Sequence, residues 1–292
     1  MDRTAPTYTD VAAAMELASR YGAALTPESA IVLSGVKAPN PPHHAMSSMW
    51  AAWVHSPYPS FGLDALRDMH RTEWDEILDM IGVQQDERYH AEGDVFAHTK
   101  MVVDAMAGLA PQGKGRTALM LAALLHDAGK ADTTMHNGKS WVSPLHQLSS
   151  RERAHCFMRK AGIGEMDRVV VDRLVLHHMS WRGLNKERAS SLAEALYPAT
   201  PRQLNLLIRA DLEGRIPPGS SDVPERVTHM LEHSRPYLLT KDVVEAMGLD
   251  PDDPVVKDAV DISNKLYTDG KITNPAIKLT EVLAWMWSES RW

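Results

Sequence analysis

The stretch LAALLHDAGKAD, Leu121 to Asp132, runs from an apolar segment straight into a histidine and an aspartate, followed by a glycine and a lysine. An apolar helix that ends this way carries an imidazole and a carboxylate toward the interior. An unpaired buried carboxylate costs on the order of several kcal/mol, so it needs a partner. His126 follows Ala122 by four residues and Leu119 by seven, and Asp127 follows Ala123 and Met120 at the same spacings. Both are therefore helical neighbours of core positions.

The same test finds two further groups. In EGDVFAHTKMVVDAMAGLA, His98 precedes Val102, Ala105 and Met106 by four, seven and eight residues. In TPRQLNLLIRADLEGR, Leu204, Leu207 and Ile208 precede Asp211 by seven, four and three. Thr200 and Pro201 open that helix as N-cap and first helical residue. Two imidazoles and two carboxylates thus aim inward from three helices. Taken singly, an inward histidine is more often a hydrogen-bonded core residue than a ligand, and one His-Asp pair among 14 histidines carries little weight. Together, one divalent cation satisfies all four. The competing solution is neutralisation by buried cations, and Lys130 is the local candidate, just past Gly129, which reads as the helix stop. From there its ammonium suits a phosphate contact.

A chain of 292 residues that is 44% hydrophobic has material for one large domain or two smaller ones. With Cys156 as its one cysteine, an internal disulfide and a cysteine-based zinc cluster are excluded, leaving histidine and carboxylate as metal ligands. No apolar run reaches about 18 residues, and MDRTAPTYTD lacks an export pattern, so the cytoplasm is expected and a membrane partner is not. A net charge of −7 argues against an extended nucleic-acid surface and favours a small nucleotide or a single RNA end.

Residues 1–60 form an N-terminal segment with no assignable role. The pattern predicts a helix over Asp10–Tyr21, and the prolines of VKAPNPPHHAMSSMWAAWVHSPYPS, Val36 to Ser60, predict interruption of any long element, with His43 and His44 in an exposed loop. From Leu63 the chain reads as helix after helix, so the expected class is mainly α. Trp285, Trp287 and Trp292 read as packing residues of a C-terminal helix. Trp181 follows His177 and His178, where it either flanks a base or ribose or packs in the core.

The order His98, then His126-Asp127 in LLHDAGK, then Asp211 in RADLEGR resembles the HD superfamily of metal-dependent phosphohydrolases. YHAEGDVFAHTKMVVDAM, AALLHDAGKADTT, LVLHHM and IRADLEGR are similar to successive motifs of the HD domain of bacterial tRNA nucleotidyltransferases. LLTKDVVEAMGLDPDDP and LYTDGKITN resemble the tail that follows it there. The resemblance spans roughly residues 60 to 290 and implies a multi-helix HD-domain fold over 61–235, flanked by the N-terminal segment and by a C-terminal helical tail over 236–292. The first 60 residues show no nucleotidyltransferase head, with its glycine-serine loop and paired aspartates, so CCA addition is not expected. A GxxxxGK[ST] loop is absent as well.

The resemblance implies hydrolysis of 2',3'-cyclic phosphates, nucleoside 2'-phosphates or other phosphomonoesters. His98, His126, Asp127 and Asp211 would hold a divalent transition metal (manganese, iron, cobalt, nickel or zinc) that activates water. It also brings in His146 and His178, as ligands of a second ion or as phosphate contacts and proton donors. Lys130, His177, Trp181 and Arg215 fall to the substrate. Two alternatives stand beside this reading. The order H, HD, H, H, D also fits a diiron oxygenase of the same superfamily, and the fold can serve as a non-catalytic module that binds an RNA end or a partner protein.

Overall fold

The computed structural model describes residues 5–36 and 42–234, together with Gly248, Asp250, residues 252–259 and Asp261. These residues are mainly helical, as the patterning implies. In chain order the elements are α1 (Tyr8–Tyr21), α2 (Pro27–Ser34), α3 (His43–Val54), α4 (Pro59–Asp68), a 3-10 turn (Thr72–Trp74), α5 (Asp75–Leu78), α6 (Val95–Leu109), α7 (Arg116–Leu125) and α8 (Lys130–Thr133). A two-stranded antiparallel hairpin follows, β1 (Met135–His136) and β2 (Trp141–Val142), with His136 opposite Trp141. Then come α9 (His146–Lys160), α10 (Glu165–His177), α11 (Lys186–Ala195), α12 (Pro201–Glu213) and α13 (Val223–Ser234). No described helix is long and apolar enough to cross a membrane.

Two units are distinguishable: residues 1–183 with 196–228, and residues 184–195 with 229–292. In the second, Ala189, Leu192 and Ala193 of α11 are buried, as are Val256 and Ala259 of the short helix 254–259. Trp285, Trp287, Trp292, LYTDGKITN and most of LLTKDVVEAMGLDPDDP lie outside the described residues.

In the first unit α7 is the central helix. Every residue from Ala118 to Leu125 is buried, and it packs against α6, α10, α12 and α9. A helix apolar on all sides needs neighbours on all sides, and these are the helices that carry the remaining candidate residues. Asp94 caps α6 by accepting from Ala97 N at 2.8 Å. Thr200 caps α12 as expected: its Oγ1 accepts from Gln203 N at 3.2 Å while Gln203 Oε1 accepts from Thr200 N at 2.9 Å, with Pro201 in first position.

The N-terminal segment departs from expectation. Its first helix begins at Tyr8, because Asp10 accepts from Thr7 N at 2.7 Å and so closes the turn earlier. A twelve-residue helix, α3, occupies the stretch where interruption was expected. Two of the described prolines fall at helix starts, Pro42 before α3 and Pro59 opening α4, positions where a missing N–H is harmless. His43 and His44 are exposed, as expected, but they form the first turn of α3 and not a loop. Trp50, Trp53, Trp74 and Phe157 meet edge-to-face or tilted at centroid distances of 4.7 to 5.3 Å, joining α3 to α9 and the 3-10 turn. The helices of residues 1–60 therefore share a core with those of the following segment.

Gly129 also has a different job. Its φ of −73° is ordinary helical backbone, and α7 has already ended at Leu125 with His126 as its C-cap. A Cβ at Gly129 would fall inside the backbone of His146, Ser149 and Ser150. Gly129 N donates to Ser150 Oγ at 2.9 Å, so the glycine lets the first turn of α9 lie directly on the HD turn.

Candidate metal centre

Helix α7 delivers His126 as its C-cap and Asp127 one residue later, and both are buried. From α6 comes His98, fully buried, and from α12 comes Asp211. His98 Nε2 lies 3.1 Å from Asp211 Oδ1 and 3.8 Å from Asp127 Oδ2. His126 Nε2 lies 3.3 Å from Asp127 Oδ2 and 3.9 Å from Asp211 Oδ1. His146 opens α9 and His178 caps α10, and both reach the other carboxylate oxygen: their Nε2 atoms lie 3.2 and 3.6 Å from Asp127 Oδ1. His146 thus belongs to a helix and not to a loop.

The opposite ring nitrogens identify the tautomers. His126 Nδ1 sits 2.9 Å from Ala123 O, His146 Nδ1 2.8 Å from Ser143 O, and His178 Nδ1 2.7 Å from Val175 O. His98 Nδ1 lies 3.1 Å from Gly214 O and 2.9 Å from Glu92 Oε1. Carbonyl and carboxylate oxygens only accept, so in all four rings Nδ1 carries the proton. A neutral ring then presents a bare lone pair at Nε2, the state a metal ligand requires.

Two details call for a cation. His126 Nε2 is buried with no hydrogen-bond partner. His146 Nε2 and His178 Nε2 approach to 3.2 Å, and two bare lone pairs cannot bond to each other. Burial first, against the opposing hydrogen bond to Asp127, pushes His178 down to about 4, so the His178 ring is uncharged near neutrality. Among the described residues three groups of possible ligand atoms are each gathered within 4.8 Å: His98 with His126 and Asp211, Asp127 with His146 and His178, and His90 with Glu92 and His98. Asp127 faces one group with each oxygen. This geometry and donor chemistry fit one or two transition-metal ions.

The two acids also have cationic neighbours. Lys130 Nζ lies 2.7 Å from Asp127 Oδ2 and donates to Gln85 Oε1 at 2.8 Å. Arg215 Nη2 contacts Asp211 Oδ2, and its Nε donates to Asp211 Oδ1 at 3.1 Å. Burial raises the pKa of Asp127, but Lys130 and His126 outweigh it and hold the carboxyl well below its usual range. Asp211 is held low in the same way by Arg215 and His98. Neutralisation by cations is therefore realised at the carboxylates. It leaves His126 Nε2 and the close His146–His178 pair unexplained.

A cavity of about 550 Å³ opens onto this cluster, lined by Asp127, Asp211, Lys130, Arg215 and His146, with His90, Arg182, Tyr89, Trp141 and Met179 around them. Two expected substrate residues are not in its lining. His177 is turned away, its Nδ1 3.4 Å from Ser180 Oγ, because adjacent helical residues point about 100° apart and His178 takes the inward direction. Trp181 is half-buried beneath the Arg182 guanidinium, 5.4 Å from the ring centroid. The aromatic lining comes from Tyr89 and Trp141. Sequence reasoning also passed over His90 and Glu92, four and two residues before the α6 N-cap Asp94 in YHAEGDVFAH, where no periodicity marks them. Glu92 Oε1 lies 2.7 Å from His90 Nδ1. Burial raises its pKa, but hydrogen bonds from His98 and His90 prevail and bring it to about 2.

No model of a known protein family matches the chain. A stretch of 79 residues, 25% of the chain, is 38% identical to the multifunctional CCA protein of Actinobacillus pleuropneumoniae serotype 5b (strain L20). The serotype 7 (strain AP76) protein of the same name matches equally, 38% over 79 residues. The chain spans about a fifth, 19%, of the length of these curated relatives.

Proposed function

We propose that this protein is an HD-type metal-dependent phosphohydrolase acting on nucleotide or RNA-end phosphates, as a 2',3'-cyclic phosphodiesterase, 2'-nucleotidase or phosphomonoesterase. The observation that carries the reading is the convergence of four buried imidazoles, each with Nε2 turned inward, on Asp127 and Asp211, the two carboxylates that line the cavity. The partial likeness to multifunctional CCA proteins supports an RNA-end substrate. We assign the activity to residues 61–235, with 1–60 and 236–292 as flanking segments and the cytoplasm as its location.

A divalent transition metal bound here would supply an acidified water and positive charge to offset that of the phosphoryl group. His98, His126 and Asp211 would hold one ion, and Asp127, His146 and His178 would provide the second set. Lys130 and Arg215 line the cavity, where they would engage nonbridging phosphate oxygens, the lysine as a point charge and the arginine as a fork. Phosphoryl transfer needs chiefly positioning and electrostatics, which these groups supply. His90 lines the cavity with Nδ1 committed to Glu92, so its Nε2 is the atom left to exchange a proton with substrate. Tyr89 and Trp141 offer flat faces for a nucleobase.

The test is a substrate and metal panel: 2',3'-cyclic AMP, 2'-AMP, 3'-AMP, 5'-nucleotides and an aryl phosphate, with EDTA-treated protein reloaded with manganese, iron, cobalt, nickel or zinc. Hydrolysis should vanish on chelation and return with metal. Activity persisting while metal analysis reads zero would refute the mechanism. The gathering of all six H, HD, H, H, D residues keeps the diiron oxygenase as a second reading. It predicts oxygen consumption and visible absorption in iron-loaded protein, with no phosphate release. Inactivity in every assay with metal bound would leave the binding module.

A further inference from the structure

We propose that Glu92 is a positioning carboxylate that fixes the metal-binding form of His98 and ties it to the cavity-lining His90. This inference rests on the metal-centre reading above. Glu92 precedes α6 in a non-helical stretch, and its side chain is 1% exposed. Its Oε1 stands 2.9 Å from His98 Nδ1 and 2.7 Å from His90 Nδ1, and its Oε2 accepts from Ile216 N at 2.9 Å. Ala91 N returns a hydrogen bond to Ile216 O at 2.8 Å. One carboxylate thus receives three N–H groups and binds the stretch before α6 to the stretch after α12. Those are the helices that supply His98 and Asp211.

A carboxylate fits this position and an amide does not. With Nδ1–H donated to Glu92, His98 turns its lone pair at Nε2 toward Asp211 and the metal position, and a charged acceptor makes that imidazole a stronger ligand than a carbonyl alone would. Gly214 O, 3.1 Å from the same Nδ1, is the neutral alternative. The His90 ring stands edge-on to His98 with centroids 4.8 Å apart, so the shared oxygen orients both rings at once. Glutamine has one acceptor atom. Turned to serve the two imidazoles, its NH2 would face the Ile216 N–H, and turned the other way it would face two imidazole donors.

The experiment measures cobalt and zinc affinity of wild type and Glu92→Gln by competition with a chromophoric chelator, alongside melting of the metal-free proteins. The expected result is a metal affinity lower by roughly tenfold to a hundredfold in Glu92→Gln, the usual cost of losing such an outer partner, with little change in metal-free melting. Affinity within twofold of wild type would overturn the proposal. Should the variant fail to fold, long-range 1H–15N NMR of zinc-loaded wild type decides: His98 and His90 must both show protonated Nδ1, and a protonated Nε2 on His98 overturns it. Wild type that binds no metal at all would instead sink the metal-centre reading, an outcome distinct from either of these.

Discussion

Lys130 illustrates how one residue changes meaning with the charge beside it. Its ammonium lies 2.7 Å from Asp127 Oδ2, where it balances the carboxylate, yet it also lines the cavity. A protonated lysine cannot ligate a metal, so Lys130→Ala should retain metal. Its phosphate contact should disappear, lowering kcat/KM by roughly tenfold to a hundredfold, the size of one charge-assisted hydrogen bond in a partly desolvated site, about 1.5 to 3 kcal/mol. His126→Ala should lose metal and turnover together, since its buried Nε2 has no other partner. Bound metal and phosphatase kinetics on both variants check this, and full activity in Lys130→Ala would return that residue to a purely structural role. His98, His126, Asp127 and Asp211 were legible in the sequence because helical spacing marks an inward face. His146 and His178 sit at helix ends, where no spacing reports direction, and they entered only through resemblance. Glu92 and Tyr89 lie on irregular backbone, and pattern had nothing to say about them.

At the scale of elements, the site is an assembly of helix ends: the close of α7, the start of α9, the close of α10 and the final turn of α12. What sets their spacing is the contact between the HD turn and α9. Because backbone atoms of His146, Ser149 and Ser150 occupy the space a side chain would need at Gly129, Gly129→Ala should push α9 outward. The expected cost is on the order of 1 to 3 kcal/mol or more, together with weakened binding of a second metal equivalent through His146. Gly108→Ala in α6 is the matched control: nothing lies within 4 Å of its added methyl, so it should be neutral or stabilising by roughly 0.5 to 1 kcal/mol. Urea titration and metal stoichiometry of the two variants test the difference. Equal stabilities would show that α9 tolerates displacement. The helices themselves were legible from apolar periodicity and from the Thr200-Pro201 start. The error at Gly129 has a physical origin, since a glycine selected for close approach and one selected for left-handed backbone are the same letter.

Across the whole molecule, the acidic groups and imidazoles of the centre act together on stability. Burial first, and then the neighbouring charges of Lys130 and His98, depress His90 to about 4, and His178 lies at about 4 as well. Both rings are held neutral, so their contribution is complete above the unfolded value near 6.5 and is lost as pH falls from there toward 4. Glu92 at about 2, with Asp127 and Asp211 well below 3.8, adds contributions that are present above the ordinary carboxylate range and disappear as pH falls further. His98 runs the other way. Burial opposes its charge, but Asp211 and Glu92 raise its pKa, so its contribution is full below about 6.5 and fades as pH rises past the folded value. Five groups therefore favour the deprotonated folded state and one favours the protonated. Metal-free protein held in chelator should show its urea midpoint falling steeply between about pH 6.5 and 4, with a shallower decline on the alkaline side. Added metal must displace the His98 proton, so metal affinity should rise with pH until that proton is gone, and the acid loss of stability should be shifted to lower pH at saturating metal. Urea titrations at half-unit pH steps, with and without metal, measure both effects. A midpoint independent of pH in the metal-free protein would mean that these side chains are solvated, and that the buried cluster does not form in solution.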